Sequence, residues 1–347
     1  MSSTESQIEP QPGPDGMNRI CVEEHWTNSD LEDILQAHRQ KTGLPLFQKA
    51  GPGPAALADL KAREQDFEQH RLARMDAAGV AVQVLATGFP GIQGVQKAND
   101  AVSAARKAND FQAEIINRFP DRYAGFAALP LQNPRAAADE LERTVTQLGF
   151  KGSMIHGHTN GEYLDERKFQ VVWERTEVLG VPLYLHIAES LWSSRIYANH
   201  PGLKRWSWGA ETANHALKII FSGVFDDFPG ATLMLGHLGE ALPFLLGRID
   251  QKTSVPPTAR KLKKEPSEYI KENIIVTTSG KYRPEALLCT ISALGADRVL
   301  LAADYPHGDM QDAVKLVENT PLSDADKEKI YFRNAMHWLK TGKDHTA

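Results

Sequence analysis

Short apolar or β-branched runs recur along the chain, separated by longer amphipathic stretches. Eight of them read as strands: Ile20–Val22, Val80–Leu85, Tyr123–Ala128, Gly152–Ile155, Pro182–Leu185, Thr232–Leu235, Ile274–Thr277 and Val299–Ala302. Between them Ala98–Phe119, Pro134–Leu148, Phe169–Leu179, Ser207–Phe225 and Glu240–Asp250 read as helices, the second with proline in its first turn. Strand and helix alternate throughout, which predicts a parallel sheet covered by helices. Eight units favour a closed (β/α)8 TIM barrel over an open doubly wound sheet, and no glycine fingerprint of a dinucleotide site is present.

Two connections are long, Thr27–Gln69 with its Gly51-Pro52-Gly53-Pro54 and Ile187–Trp208. Each leaves the C-terminal end of a strand, where barrel enzymes carry their binding loops, so both are predicted to wall a pocket. Gln251–Pro266, basic and proline-bearing, reads as a surface excursion. Residues 1–17 read as a disordered tail, and 18–341 as a single barrel domain with insertions at 27–69 and 187–208.

Composition fits that picture. The chain has 347 residues, 41% hydrophobic and 24% charged, enough for one barrel of roughly 250 residues plus insertions. A net charge of -5, with no basic cluster longer than Lys261 to Lys264, argues against a nucleic-acid partner. No apolar run approaches the roughly 18 residues of a membrane span, and the polar start lacks the apolar segment of a signal peptide. Cys21 and Cys289 are too few for a disulfide framework and read as small buried hydrophobes, so the expected compartment is the cytoplasm.

In a barrel the residues ending each strand converge on one mouth. Here those positions hold Glu23-Glu24-His25 on strand one, His156 on strand four, His186 on strand five, His237 on strand six and Asp304 on strand eight. Residues two apart on a strand share a face, so Glu23 and His25 point inward together and Glu24 outward. With His186 and Asp304 they make a mixed nitrogen and oxygen set that suits one catalytic Zn2+ or Mn2+ with open positions. Lys151 lies at the wrong end of its strand to bridge a second ion. His237 and Glu240 form a candidate acid/base unit, and Arg248 either neutralises a carboxylate or anchors its helix. His156 and His158 order a loop or touch substrate; His215 packs. Trp26, Phe89, Trp192 and Trp206 are candidates to stack on a flat substrate, with Glu189 a further candidate contact. A lone buried histidine is more often a core residue than a ligand; the joint placement of four ligand types raises the metal reading above that background.

With these residues in view, the chain resembles the amidohydrolase-related nonoxidative aromatic-acid decarboxylases, the group of the γ-resorcylate, 2,3-dihydroxybenzoate, 5-carboxyvanillate and aminocarboxymuconate semialdehyde enzymes. The likeness runs from about Ile20 to Leu339. It rests on Glu23-Glu24-His25, Arg74-Met75-Asp76-Ala77-Ala78-Gly79-Val80, Tyr163-Leu164-Asp165, Pro182-Leu183-Tyr184-Leu185-His186, Gly236-His237-Leu238-Gly239-Glu240, Arg248-Ile249-Asp250, Thr277-Thr278-Ser279-Gly280 and Asp304-Tyr305-Pro306. The resemblance implies one divalent metal on Glu23, His25, His186 and Asp304, with His237 and Glu240 nearby and Arg248 in support. It further implies a homodimer or homotetramer, and loss of CO2 from an ortho-hydroxybenzoate-type acid, with Asp304 protonating the ring carbon. Ile187-Ala188-Glu189-Ser190, His307 and Trp26 depart from the family pattern, which suggests an added polar group on the ring. The alternative on the same scaffold is a hydrolase, in which His237 deprotonates a water held by the metal for attack on a lactone, amide or carbon–carbon bond.

Overall fold

The computed structural model describes residues 17–42, 54–251, 260–280 and 283–340. Most of the expected tail (1–16), the Gly-Pro repeat up to Gly53 and residues 252–259 of the basic excursion lie outside these. The strands are β1 (Ile20–Trp26), β2 (Val82–Thr87), β3 (Tyr123–Gly125), β4 (Ala127–Ala128), β5 (Ser153–His156), β6 (Leu183–His186), β7 (Leu233–Leu235), β8 (Ile274–Thr277) and β9 (Val299–Leu300). All pairings are parallel, in a three-stranded sheet β1-β2-β3 and a six-stranded sheet β4 to β9.

The third expected strand is therefore two short ones, broken at Phe126. Its N–H bonds to Leu85 O at 2.8 Å while Lys151 N–H bonds to Gly125 O at 2.8 Å, so single hydrogen bonds bridge the seam. The other seam is joined by Val22 N–H to Leu301 O (3.1 Å), His25 N–H to Tyr305 O (2.7 Å) and a Glu24–Tyr305 bridge. Eight strand positions thus make a (β/α)8 barrel whose two seams carry isolated bonds rather than full ladders.

Alternation sorts the side chains into two layers. Ile20, Val22, Val84, Met154, Tyr184, Met234, Ile275 and Leu300 fill the interior, whereas Cys21, Leu185, Leu235 and Val276 face the helices. In β1 the register slips between Cys21 and Glu24. This bulge reverses the parity, so that after inward Val22 both Glu23 and His25 also turn inward.

Helices run further into the predicted loops than expected. Thr27–Gln69 contains Ser29–Thr42 and Pro54–Glu64, and Ile187–Trp208 contains Leu191–Tyr197. The expected helix Ser207–Phe225 is instead Lys204–Phe221 and Val224–Asp227, separated where Gly223 takes a φ of 79°. The expected Glu240–Asp250 begins only at Leu242, because His237, Leu238, Gly239, Glu240 and Ala241 all have positive φ, 52° to 77°. Cys21 is buried as expected; Cys289 is only partly so.

Candidate metal centre

Glu23, His25, His186 and Asp304 meet at the C-terminal mouth, each offering one ligand atom, all within 4.8 Å of one another. Glu23 is fully buried, and His25, His186 and Asp304 expose 1%, 5% and 15% of their side chains. The closest approaches are 3.1 Å for His25 Nε2 to Asp304 Oδ1 and 3.3 Å for His186 Nε2 to Glu23 Oε1. Neither pair is aligned as a hydrogen bond, and Glu23 Oε1, His25 Nε2, His186 Nε2 and Asp304 Oδ1 are all buried atoms without a hydrogen-bond partner. Four converging orphans of mixed oxygen and nitrogen type fit a divalent cation, since a buried charge left unpaired is costly.

Electrostatics point the same way. Burial opposes charge on Asp304, yet His237 and His25 beside it hold its carboxyl well below the usual range. Burial likewise opposes the charge of Glu23, and His237 and His186 hold it down. Desolvation works against protonating His25, but Asp304 and Glu23 overcome it and raise its pKa. Without an ion the carboxylates thus hold protons on neighbouring imidazoles, the positive charge that a divalent cation replaces.

The floor of the site is a directed hydrogen-bond chain. Tyr184 and Thr277 both donate to Glu23 Oε2, the latter at 3.0 Å. With its proton so used, Thr277 accepts from Ser279 at 3.0 Å, and Ser279 Oγ accepts the backbone N–H of His237 at 2.9 Å. A Cβ on Gly236 would meet Tyr184 Oη at 2.9 Å and Glu23 Oε2 at 3.1 Å, so this position must be glycine for the chain to close. Glu24, outward as expected, accepts N–H groups from Ala303 (3.0 Å) and Tyr305 (3.2 Å) and so fixes both sides of Asp304, whose φ is 60°. Arg71, fully buried, donates to His25 O at 2.7 Å and holds the end of β1.

His237 reaches the centre through the left-handed run. Its Nδ1 pairs with Glu240 Oε1 at 2.8 Å, and its Nε2 lies 3.9 Å from Glu23 Oε1 and 4.0 Å from Asp304 Oδ2. Burial would depress this imidazole, but Glu240 and Glu23 push it well above its ordinary value. Four non-glycine residues at positive φ in so short a span are strained, which is characteristic of functional turns.

The other expected site residues divide. His307 sits at the mouth, its ring 6.0 Å from that of His25 and its Nε2 3.6 Å from Glu64 Oε1; burial pushes its pKa down to about 4. Glu64, on the helix Pro54–Glu64, had no place among the expected residues. Phe89 is half-buried with its ring 5.9 Å from His156. Glu189 is half-buried beside Lys204, and burial raises it to about 7. The structure does not bring Trp26 to the mouth: it points outward, fully buried against Phe67 and Phe111, with Nε1 donating to Gln112. Arg248 is exposed, its guanidinium on Gln251 Oε1 at 2.8 Å rather than on a site carboxylate. His156 lies behind His186, and His215 accepts the Leu164 N–H at 2.9 Å, a packing role. Trp192 and Trp206 are 48% and 63% exposed on the outer surface of their helices.

A parallel barrel with four converging metal-donor side chains at its C-terminal mouth has the architecture of a metal-dependent barrel enzyme. The family profile described as Amidohydrolase matches residues 25–340, and the chain belongs to that family. A γ-resorcylate decarboxylase of a Polaromonas species is 38% identical over 337 residues, covering 94% of this chain and 99% of its own. The crystal structure of a Polaromonas dihydroxybenzoic acid decarboxylase, with bound manganese and the inhibitor 2-nitroresorcinol, is 35% identical with a TM-score of 0.83, covering 93% of this chain and 97% of the other. That of the Novosphingobium aromaticivorans 5-carboxyvanillate decarboxylase, with manganese and 4-hydroxy-3-methoxy-5-nitrobenzoic acid, is 32% identical with a TM-score of 0.87, covering 98% and 100%. Among the described residues no helix is long and apolar enough to cross a membrane.

Proposed function

We propose that this chain is a carboxy-lyase that releases CO2 from a hydroxylated aromatic carboxylic acid, with one divalent cation, Mn2+ or Zn2+, on Glu23, His25, His186 and Asp304. The observation that carries this reading is the convergence of four orphaned donor atoms in a chain 38% identical, over nearly its whole length, to a γ-resorcylate decarboxylase. A cation held there supplies Lewis acidity, which stabilises negative charge displaced onto ring oxygens.

The chain's own residues manage the proton. Glu240 and Glu23 keep the His237 imidazole charged, 4.0 Å from Asp304 Oδ2. An anionic substrate adds negative charge beside Asp304, which favours passage of that proton to its carboxylate. Asp304 then protonates the ring carbon that bears the carboxylate. The carbon–carbon pair returns to the ring as CO2 leaves, aromaticity is restored, and solvent returns one proton to His237. Phe89 and His307 line the mouth against the ring, and Glu64 and Glu189 offer acceptors to further polar substituents. Residues 18–341 act as one barrel domain. Copies of the chain associate as a homodimer or homotetramer, for which the exposed Phe244 on Leu242–Ile249 offers apolar surface. The two unpaired cysteines suit a reducing compartment, the cytoplasm.

The test is CO2 release from a panel of hydroxylated benzoates, with metal content measured, for the native chain and Asp304→Asn. Release that needs about one metal per chain and vanishes in the variant is expected; full metal occupancy with no CO2 from any acid overturns the reading.

A further inference from the structure

His156 is not one of the four converging donors, yet it is almost wholly buried behind one of them. We propose that His156 is a positioning residue for the metal: by accepting the Nδ1 proton of His186 it fixes the tautomer that leaves His186 Nε2 bare. β5 and β6 pair with His156 opposite His186, which brings the ring centroids to 4.9 Å. His156 Nε2 lies 2.9 Å from Thr87 O, a carbonyl that can only accept, so Nε2 carries the proton. A neutral imidazole protonated at Nε2 is bare at Nδ1, and the near-complete burial of this ring opposes a second proton there.

That bare Nδ1 sits 3.1 Å from His186 Nδ1, and two nitrogens at this distance share one proton. The proton belongs to His186, which also has Ile187 O, another obligate acceptor, 3.0 Å from the same nitrogen. One carbonyl therefore sets one ring, and that ring sets the next. The result is the unprotonated Nε2 that faces Glu23 Oε1.

His156 cannot swing aside. Gly91, at a φ of +55°, closes over the ring so tightly that a Cβ there would lie 2.6 Å from His156 Cδ2, and Gln93 Oε1 accepts the His156 backbone N–H at 3.2 Å. Both ring nitrogens are committed, so neither is left for a substrate.

The inference rests on the metal reading of the quartet, not on which acid is the substrate. Its test is nitrogen-15 NMR of the imidazoles in the metal-free native chain, beside Mn2+ and Zn2+ affinity by competition with a chelator. His156 is expected as the Nε2–H tautomer and His186 as Nδ1–H. His156→Phe, which keeps a ring but no acceptor, should weaken metal binding about 10- to 100-fold. His156→Gln, with an amide that can accept and donate in place of the two nitrogens, should recover most of that loss. A packing role alone would leave the His186 tautomer unmoved in the phenylalanine variant. An Nδ1–H tautomer at His156, or metal affinity in His156→Phe within twofold of native, overturns the proposal. If that variant does not fold, the native tautomers decide.

Discussion

Removing the hydroxyl of Tyr184 tests whether the barrel floor holds Glu23, one of the four donors of the candidate metal centre. In Tyr184→Phe, Glu23 Oε2 keeps the Thr277 hydroxyl at 3.0 Å but loses the other of its two donors, and the ring still fills the interior. Hydrogen bonds to charged groups contribute roughly 1.5–3 kcal/mol, so about 2 kcal/mol is at stake. Unfolding entropy near 2.1 cal/mol/K per residue gives about 0.7 kcal/mol/K for 347 residues, and hence a fall in Tm of about 3 °C. Loss of one outer partner should also weaken Mn2+ binding by about tenfold. The assays are thermal unfolding of chelator-treated protein and competition titration of Mn2+. Tyr123→Phe serves as the control: its hydroxyl donates to Phe67 O at 2.6 Å, outside the site, so it should lower Tm without changing the metal affinity. Tyr184→Phe with native Tm and native affinity would refute the claim that the floor orders Glu23.

Gly209→Ala would place a Cβ 2.4 Å from Glu240 Oε2, so the carboxylate must shift, which disturbs its pairing with His237 through Oε1. The expected result is a fall in kcat of about 10-fold or more with metal affinity unchanged, read by steady-state rates and chelator competition. Trp26→Phe should lower Tm through loss of the bond to Gln112 and leave KM within twofold, because the ring packs away from the mouth; a large rise in KM would restore it as a substrate contact. Metal removal should change the pH dependence of stability. His25 has a raised pKa when folded, so its contribution is complete below 6.5 and is lost as pH rises through the folded value. Glu23 and Asp304 have lowered values, so theirs is complete above about 4.5 and is lost as pH falls. Chelator-treated protein should therefore be most stable between about pH 4.5 and 6.5, and added manganese should extend that range upward, as denaturation midpoints across pH would show.

Much of the centre is legible from period-two alternation. His186 ends the run Leu183-Tyr184-Leu185 with the parity of interior Tyr184, and Asp304 continues that of interior Leu300 and Ala302. The same rule, applied one residue beyond His25, turns Trp26 outward; treating it as a substrate contact overlooked the alternation that placed Glu23 and His25. Tyr184, Thr277 and Ser279 were equally within reach, since each is two residues from another inward group. Arg248 was beyond that reach, because a helix gives no fixed direction without knowing which face the barrel covers. Glu64 was also beyond it, as only the tertiary path of the 27–69 connection carries its helix to His307.

What alternation alone cannot supply is the inward start. Counting from Ile20 and Val22, an unbroken β1 would turn Glu23 and His25 toward the helices and Glu24 toward the metal. The bulge between Cys21 and Glu24 reverses this, and the reversed strand is held by contacts from distant segments: Arg71 on His25 O, and Glu24 on the backbone to either side of Asp304. Glu24 therefore couples the two halves of the centre. It faces away from the metal, yet it locks the bulged strand that carries Glu23 and His25 to the turn that carries Asp304. The adjacent pair Glu23-Glu24 thus divides one task between two faces, with one carboxylate offered to the cation and the other spent on backbone N–H groups that keep the ligand set closed.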